Sequence, residues 1–399
     1  MNTEEKQIPH LLWVYPGALD EALDSVTWIE TTRTLRRMGW HVTLITADDA
    51  QHSVIRGVEV LGLPTRQIYF LRQFDYHLHL LRYLIKMRRS ADVVLFHSIS
   101  AAWLLPLKLV QSLIFDRRPL YVMDTRDLHP MGGNWKDALR RVFLRLAHFL
   151  ANRGADGQTA ISPRMAALVN IPADQFWGVW PSGVIADQFA AAHEKRTWPT
   201  GNEIVQLVYI GRLLLERNLL ALGKSVLQAN KEGMAFRLSL IGDGVDRHTF
   251  ENFAKRSAGQ IQLLDPVPHQ EMPQMLAKMH VGITSLPAPD DARYAASSPV
   301  KLFEYMAAGM PVLATSNPCH TEVIGDGDYA FWAEDAHSES ILDALRAAWK
   351  ARDTFARRGA HALQAANVWT WKAATAKLDD ALRKGIAENL ASTPEVARR

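Results

Sequence analysis

The 399-residue chain holds a single cysteine, Cys319. That excludes an internal disulfide and a cysteine-cluster metal site, and it suits a reducing compartment. No apolar run reads as a membrane span. The longest, Val93 to Phe115, is broken by His97, Pro106 and Lys108, and it reads as a strand followed by a helix. The first ten residues are polar and carry no signal-peptide apolar region. Short repeats, low-complexity segments and a dinucleotide fingerprint are all missing. Gly242-Asp243-Gly244 is too short for that fingerprint and reads as a tight turn needing positive φ. No recognised nucleic-acid-binding module is present, which argues against nucleic acid as a partner.

What is there is a strand–helix alternation that runs twice. At 48% hydrophobic and 22% charged residues the composition is that of a globular protein, and the length suits two domains. The first pass has strands at 10–16, 41–47, 54–63, 92–97, 120–124, 157–162 and 179–184, with helices between. Residues 187–203 lose the periodicity and read as a linker. The pattern restarts with strands at 204–210, 236–241, 261–264 and 281–286, and from Ser338 the chain is largely helical. This predicts residues 1–186 as one domain and 204–370 as a second, each a parallel sheet covered on both faces, with 371–399 as a final helix and tail. In such sheets ligands sit at the carboxyl ends of strands.

The net charge of +3 hides an excess in the middle of the N-terminal half. Residues 66–153 carry 15 Lys and Arg against 6 Asp and Glu. Two amphipathic basic helices, 74–89 and 135–153, dominate it, with Trp103, Phe143 and Phe149 nearby. They are either solvated faces or a contact for anionic lipid or a phosphorylated acceptor.

The densest chemistry lies in Ser297 to Thr315. Ser298 suits an N-cap, Pro299 the first helical position, Gly309 the left-handed C′ position, and 311–315 a buried strand. Lys301 falls in the first turn, where a helix prefers anions, and Glu304 lies one turn along on the same face. A phosphate at the helix start and a ribose beside Glu304 describe a nucleoside diphosphate; a solvated Lys and Glu on an ordinary helix is the alternative. Arg212, after Gly211 at a strand end, and Arg217 can neutralise a diphosphate, or they are simply solvated. His97 ends a strand, where a general base or substrate contact fits as well as a structural histidine does. Asp124, Arg126 and Asp127 end another strand, with Asp127 the better candidate for a hydroxyl contact and a mutual salt bridge the alternative. Asp326-Gly327-Asp328 fits a metal-binding pattern, but its place between helix and strand favours a turn. No metal ligand is assigned.

Taken together, these segments resemble family-4 retaining glycosyltransferases of the GT-B fold. The resemblance covers nearly the whole chain. It is carried by Ser298-Pro299-Val300-Lys301-Leu302-Phe303-Glu304-Tyr305-Met306-Ala307-Ala308-Gly309-Met310-Pro311-Val312 and by Tyr209-Ile210-Gly211-Arg212-Leu213 with Arg217. Leu240 to Gly244, Trp180 to Val184 and Val368 to Trp371 fit as well. Asp124 to Pro130 resembles a block in bacterial members that build surface polysaccharides.

The resemblance implies two Rossmann-like parallel-sheet domains facing across a cleft, the C-terminal helix crossing back to the N-terminal domain. It implies transfer of a sugar, with retention and without metal, from a nucleoside-diphosphate-sugar to a hydroxyl of a lipid-linked saccharide. Donor contacts are expected at Glu304 (ribose), Lys301, Val300, Ser298, Gly211 and Gly17. Catalytic roles are expected for His97, Asp127, Arg212 and Arg217. The donor is a substrate, and no cofactor is expected. The expected setting is the cytoplasm, with peripheral contact on the inner membrane face. Two departures stand out. Where the family pattern has a first glutamate, with seven residues between it and Glu304, this chain has Ala296, with Asp290 and Asp291 as nearby acids. The glycine-rich loop after the first strand is reduced to Gly17. A nucleotide-sugar epimerase of the same fold, or a non-catalytic partner that keeps it, are the alternatives.

Overall fold

The computed structural model describes residues 8–19, 25–48, 53–55, 57–66, 68–128, 135–287 and 291–392. The chain divides into two units. One ends at Pro181 and includes the chain again from Trp371; the other is Ser182–Thr370.

In the first unit the order is β1 (His10–Val14), α1 (Ser25–Arg37), β2 (His41–Thr46), β3 (Ser53–Ile55), β4 (Val58–Gly62), α2 (Tyr69–Met87), β5 (Val93–His97), α3 (Ala101–Ile114), β6 (Leu120–Thr125), α4 (Trp135–Gly154), β7 (Gly157–Ala160), α5 (Pro163–Leu168) and β8 (Phe176–Val179). The sheet runs β3-β4-β2-β1-β5-β6-β7-β8, and every pair is parallel except β3–β4. The strands are apolar throughout because both faces are covered. In β1, Leu12 and Val14 point into one core with Tyr76, Leu80, Leu104 and Ala147. Leu11 and Trp13 point into the other, with Trp28, Ile29, Leu378 and Leu382.

Two strand assignments change. The stretch 54–63 is not one strand but the hairpin β3–β4, because Gly57 takes φ +79° and turns the chain. The strand expected at 179–184 lies earlier, as β8. Pro181 has no N–H to donate to a ladder, and Val184 makes only an isolated bridge to Thr370.

The second unit runs α6 (Ala186–Lys195), β9 (Val205–Ile210), α7 (Leu219–Lys231), β10 (Phe236–Ile241), α8 (Arg247–Lys255), β11 (Ile261–Leu264), α9 (Met272–Leu276), β12 (Val281–Thr284), α10 (Ala292–Ala295), α11 (Val300–Ala307), β13 (Val312–Thr315), α12 (Pro318–Ile324), β14 (Ala330–Ala333), α13 (Ser338–Lys350) and α14 (Phe355–Ala366). Its all-parallel sheet has the order β11-β10-β9-β12-β13-β14. The chain then returns to the first unit as α15 (Trp371–Ser392), which packs on α1 and β8.

The expected linker, 187–203, is not a free connector. Its first half is α6, whose Phe189 is fully buried with Leu302 and Met306. The buried Arg196 guanidinium donates to the carbonyls of Leu276 and Met279 (2.9 and 2.6 Å) and of Ala308 and Gly309 (2.8 and 2.9 Å). One arginine thereby satisfies carbonyls just past α9 and α11, which have no partner within their helices.

Each sheet changes winding direction once. In the first, β1 has β2 on one side and β5 on the other; in the second, β9 lies between β10 and β12. The loops leaving the carboxyl ends of these strands are where an open α/β sheet leaves room for a ligand.

Candidate functional site

In the second unit Ile210 ends β9 and the chain turns at Gly211, φ +136°. The same close quarters explain Gly242 (φ +143°): a Cβ there would lie 2.0 Å from the Gly211 carbonyl oxygen. Gly242-Asp243-Gly244 is therefore the tight packing of two strand ends, as its sequence suggests.

Helix α11 meets this turn from the other side. The wheel puts Lys301, Glu304, Tyr305 and Ala308 together, and the structure turns that face onto the sheet. Tyr305 packs over Gly282 of β12, and its hydroxyl accepts the Ile210 N–H at 2.9 Å. Lys301 thereby reaches the Gly211 turn. A Cβ on Gly211 would lie 2.9 Å from its Nζ, and the ammonium sits 3.8 Å from the centre of the Tyr209 ring, a cation–π contact. That nitrogen is buried and has no hydrogen-bond partner among the described residues. Burial, and secondarily the Arg217 charge, push its pKa well below the usual lysine value, with Glu304 opposing.

Arg217 donates through Nη1 to the Tyr209 hydroxyl (3.3 Å), which itself donates to the Arg212 carbonyl (3.1 Å). The Arg217 Nε is also buried without a partner. Arg212 presents an exposed side chain at the same loop. Lys301, Arg217, Gly211 and Glu304 are thus gathered around one strand end.

One expectation and one alternative are corrected in detail. Ser298 does not cap α11: the helix begins at Val300 with Pro299 in the cap position, and the Ser298 hydroxyl instead accepts the Ser182 N–H (3.1 Å). Glu304 is not on a solvated face. It is buried, and its Oε1 lies 3.0 Å from Nε2 of His269, a residue the sequence pattern did not single out. Asp291, one of the acids near Ala296, is paired within its own loop. Arg293 holds its carboxylate through Nε at 2.8 Å, pulling its pKa down, while buried Ala296 ends α10. Asp290 lies outside the described residues. Beside this loop Tyr294 donates to Glu216 (2.8 Å), tying α10 to the segment that carries Arg217. Asp328, of the metal-like pattern, pairs with His361 (2.7 Å) at a turn.

The first unit gathers its candidates at the carboxyl ends of the adjacent strands β1, β5 and β6. Gly17 follows β1, and its carbonyl accepts the Ala47 N–H (3.0 Å). His97 ends β5. Its Nδ1 lies 3.4 Å from the Ile99 N–H and 3.3 Å from the Ser98 hydroxyl, which leaves Nε2 as the proton carrier facing Asp127 at 2.9 Å. Asp127 is largely exposed, so the pair has an open side. Of the alternative salt bridge, the Arg126–Asp124 pair is present. Asp124 is buried and accepts from Thr159 (2.7 Å) and Trp180 (2.9 Å), and burial raises its pKa. Arg126 lies 4.0 Å from Asp124 with its guanidinium over the Trp180 ring. His129 and Pro130 of that block lie outside the described residues.

Among curated proteins no sequence matches the chain. Two family models do. Residues 26–175 match the glycosyl transferase 4-like domain, and residues 205–351 match glycosyl transferases group 1. Solved structures with the same fold include sucrose-phosphate synthase from Thermosynechococcus elongatus (14% identity, TM-score 0.75, covering 95% of this chain and 100% of that one). HepE of Anabaena, in complex with UDP and glucose, is 14% identical with TM-score 0.67, over 96% of this chain and 99% of that one. The catalytic domain of starch synthase IV from Arabidopsis thaliana, bound to ADP and acarbose, is 12% identical with TM-score 0.70, over 95% and 99%. At these identities the likeness is one of fold. The chain therefore carries a glycosyl transferase 4-like domain followed by a glycosyl transferases group 1 domain, and it has the GT-B fold of glycosyltransferases.

Proposed function

We propose that the protein transfers a sugar from a nucleoside-diphosphate-sugar, bound by the second unit, to an acceptor hydroxyl bound by the first. The observation that carries this reading is the Lys301 ammonium. Among the described residues it is buried without a hydrogen-bond partner at the Gly211 turn, as is the Arg217 Nε of the same cluster. Each unsatisfied buried donor costs about 1–3 kcal/mol or more for a charged group, and a diphosphate would satisfy both. The first-turn amides of α11, at Val300 and Lys301, add fixed donors. Glu304, one turn along, takes the ribose, and exposed Arg212 reaches the outer phosphate. HepE and starch synthase IV, which share the fold, hold UDP and ADP in their structures.

In the reaction the C–O bond between anomeric carbon and diphosphate breaks, and one to the acceptor oxygen forms. Lys301, Arg217, Arg212 and the helix start stabilise the departing diphosphate by preorganised electrostatics, so this reading assigns no metal. His97 and Asp127 face the acceptor side, and the product keeps its anomeric configuration.

The acceptor reading is a lipid-linked saccharide, in surface-polysaccharide assembly on the inner face of the cytoplasmic membrane. Its support is α4. Trp135, Leu139, Val142, Leu146 and Phe149 fall on one stripe of that helix, and each is about half to two-thirds exposed. The stripe spans roughly 20 Å. Arg140, Arg141, Arg145 and Arg153 accompany it, and Leu109 and Leu113 are exposed on α3, which packs beside it. An apolar stripe with basic flanks suits an anionic bilayer surface. Among the described residues no helix is long and apolar enough to cross a membrane.

A thermal-shift screen of nucleotide sugars identifies the donor, since a ligand of the folded state raises its apparent stability. With that donor, Glu304→Ala is expected to weaken binding by about 1.5–3 kcal/mol, the range for hydrogen bonds to a charged group. Unchanged affinity in calorimetry removes the ribose role. Product analysis without acceptor separates transfer from epimerisation. Flotation on phosphatidylglycerol vesicles, lost in Leu139→Glu/Val142→Glu, tests the membrane surface; equal flotation of variant and parent overturns it.

A further inference from the structure

The contact between His269 and Glu304 lies outside the sequence pattern that identified the donor site. His269 belongs to the loop between β11 and α9, and its side chain is mostly buried. Phe189 of α6 holds the imidazole edge-on, ring centres 5.6 Å apart. From there Nε2 lies 3.0 Å from Oε1 of Glu304. A carboxylate only accepts, so Nε2 carries the proton and donates. That bond occupies one oxygen of a buried side chain with three rotatable torsions. Oε2 has no hydrogen-bond partner among the described residues. Three elements from separate parts of the chain, α6, the β11–α9 loop and α11, therefore meet to fix one carboxylate with one oxygen tied and one open.

We infer that His269 is a positioning residue for the nucleotide: it locks the Glu304 carboxylate so that Oε2 is presented to the ribose hydroxyls. It touches Glu304, not the reacting atoms. The inference rests on the donor reading above, in which Glu304 takes the ribose. Its physical content is preorganisation. A carboxylate already held in one rotamer loses little freedom when the ribose arrives, whereas a released one must be ordered first or is drawn toward the Lys301 ammonium, with which it interacts electrostatically.

The readout is discrimination between ribose and a ring lacking its hydroxyls, since general loosening of the site weakens both ligands alike. The probes are the ribonucleoside diphosphates of uridine, guanosine and adenosine and their 2′,3′-dideoxy forms, titrated by calorimetry into the full chain. The parent protein is expected to prefer the ribose form by roughly tenfold or more, the range for hydrogen bonds to a charged group. His269→Ala is expected to lose most of that preference while its affinity for the dideoxy form stays within about twofold of the parent. His269→Gln, which places an amide N–H near the same oxygen, is expected to restore part of it. Glu304→Gln is the control on the donor reading. A parent that does not discriminate, together with an indifferent Glu304→Gln, removes the ribose role and this inference with it. A discriminating parent sensitive to Glu304→Gln, with His269→Ala keeping the full preference or weakening both ligands equally, overturns the role of His269 alone.

Discussion

Lys301 shows how one residue couples fold and ligand. Among the described residues its ammonium is stabilised by the Tyr209 ring and by the Glu304 charge, and burial holds its pKa well below the usual lysine value. A bound diphosphate places anionic oxygens beside it and must raise that pKa. The sign follows. At any pH above the free-state pKa and below the bound-state pKa, binding takes up a proton. We expect the binding enthalpy of the donor nucleotide to vary with the ionisation enthalpy of the buffer, in the direction of proton uptake, and Lys301→Met to abolish that slope. A slope of zero across about pH 6 to 10, which spans the ordinary titration range of His to Lys, rules out this role. Part of this residue's meaning was legible in sequence, because a lysine in the first turn of a helix opposes the dipole and asks for an anion. Its contact with the Tyr209 ring was not: Tyr209 is part of a matched segment, but it lies some ninety positions earlier and nothing in the spacing pairs the two. His269 is the same case: a histidine in a loop carries no periodicity to read. Ser298 shows the reverse error, a good cap by composition whose hydroxyl the tertiary structure uses elsewhere.

At the scale of elements, the strand–helix alternation was readable because parallel strands buried on both faces are apolar along their whole length. The element that escaped is α6 with Arg196. A helix whose buried contacts come from Phe189 and Ala192, followed by a charged residue, resembles a connector. Yet Arg196 is buried and makes four hydrogen bonds to carbonyls at the ends of α9 and α11. Burial lowers its pKa to about 10, still far above neutrality, so the charge persists. Arg196→Met keeps much of the packing volume and, among the described residues, takes the donor from the Met279 and Ala308 carbonyls, while Leu276 keeps the Met279 N–H and Gly309 the His193 imidazole. We expect a loss of about 1–3 kcal/mol for each carbonyl left unsatisfied, read as a lower midpoint in urea. Because α11 carries Lys301 and Glu304, weaker nucleotide binding should accompany it. A midpoint unchanged within error sinks this account of α6 as part of the donor unit.

At the scale of the whole molecule, the two pattern-matched segments were visible in sequence, but membership of the last helix was not decided by proximity in the chain. Helix α15 belongs to the first unit, over three hundred residues from β1. There Leu378 and Leu382 share a core with Leu11, Trp13 and Trp28, while Arg383 donates to the Met38 carbonyl at 3.0 Å. The reason is geometric. The β1–β2 face of the first sheet is covered by α1 and leaves apolar surface that another helix must close. Deleting the chain after Thr370 removes Trp371, Ala374, Leu378, Ala381 and Leu382, all buried, and uncovers the core around Leu11, Trp13 and Trp28 that Leu378 and Leu382 share. At about 1.5–3 kcal/mol for each large side chain, the loss is on the order of 5–9 kcal/mol, comparable to the whole stability of an ordinary domain. The second unit keeps its own two cores, and its closing bridge between Val184 and Thr370 survives the cut. Calorimetry of the truncated chain should therefore show one remaining transition, still raised by the donor nucleotide, and proteolysis should degrade the first unit selectively. Two intact transitions would mean that α15 is an accessory to the first sheet; loss of both would mean that the second unit depends on the first for its stability.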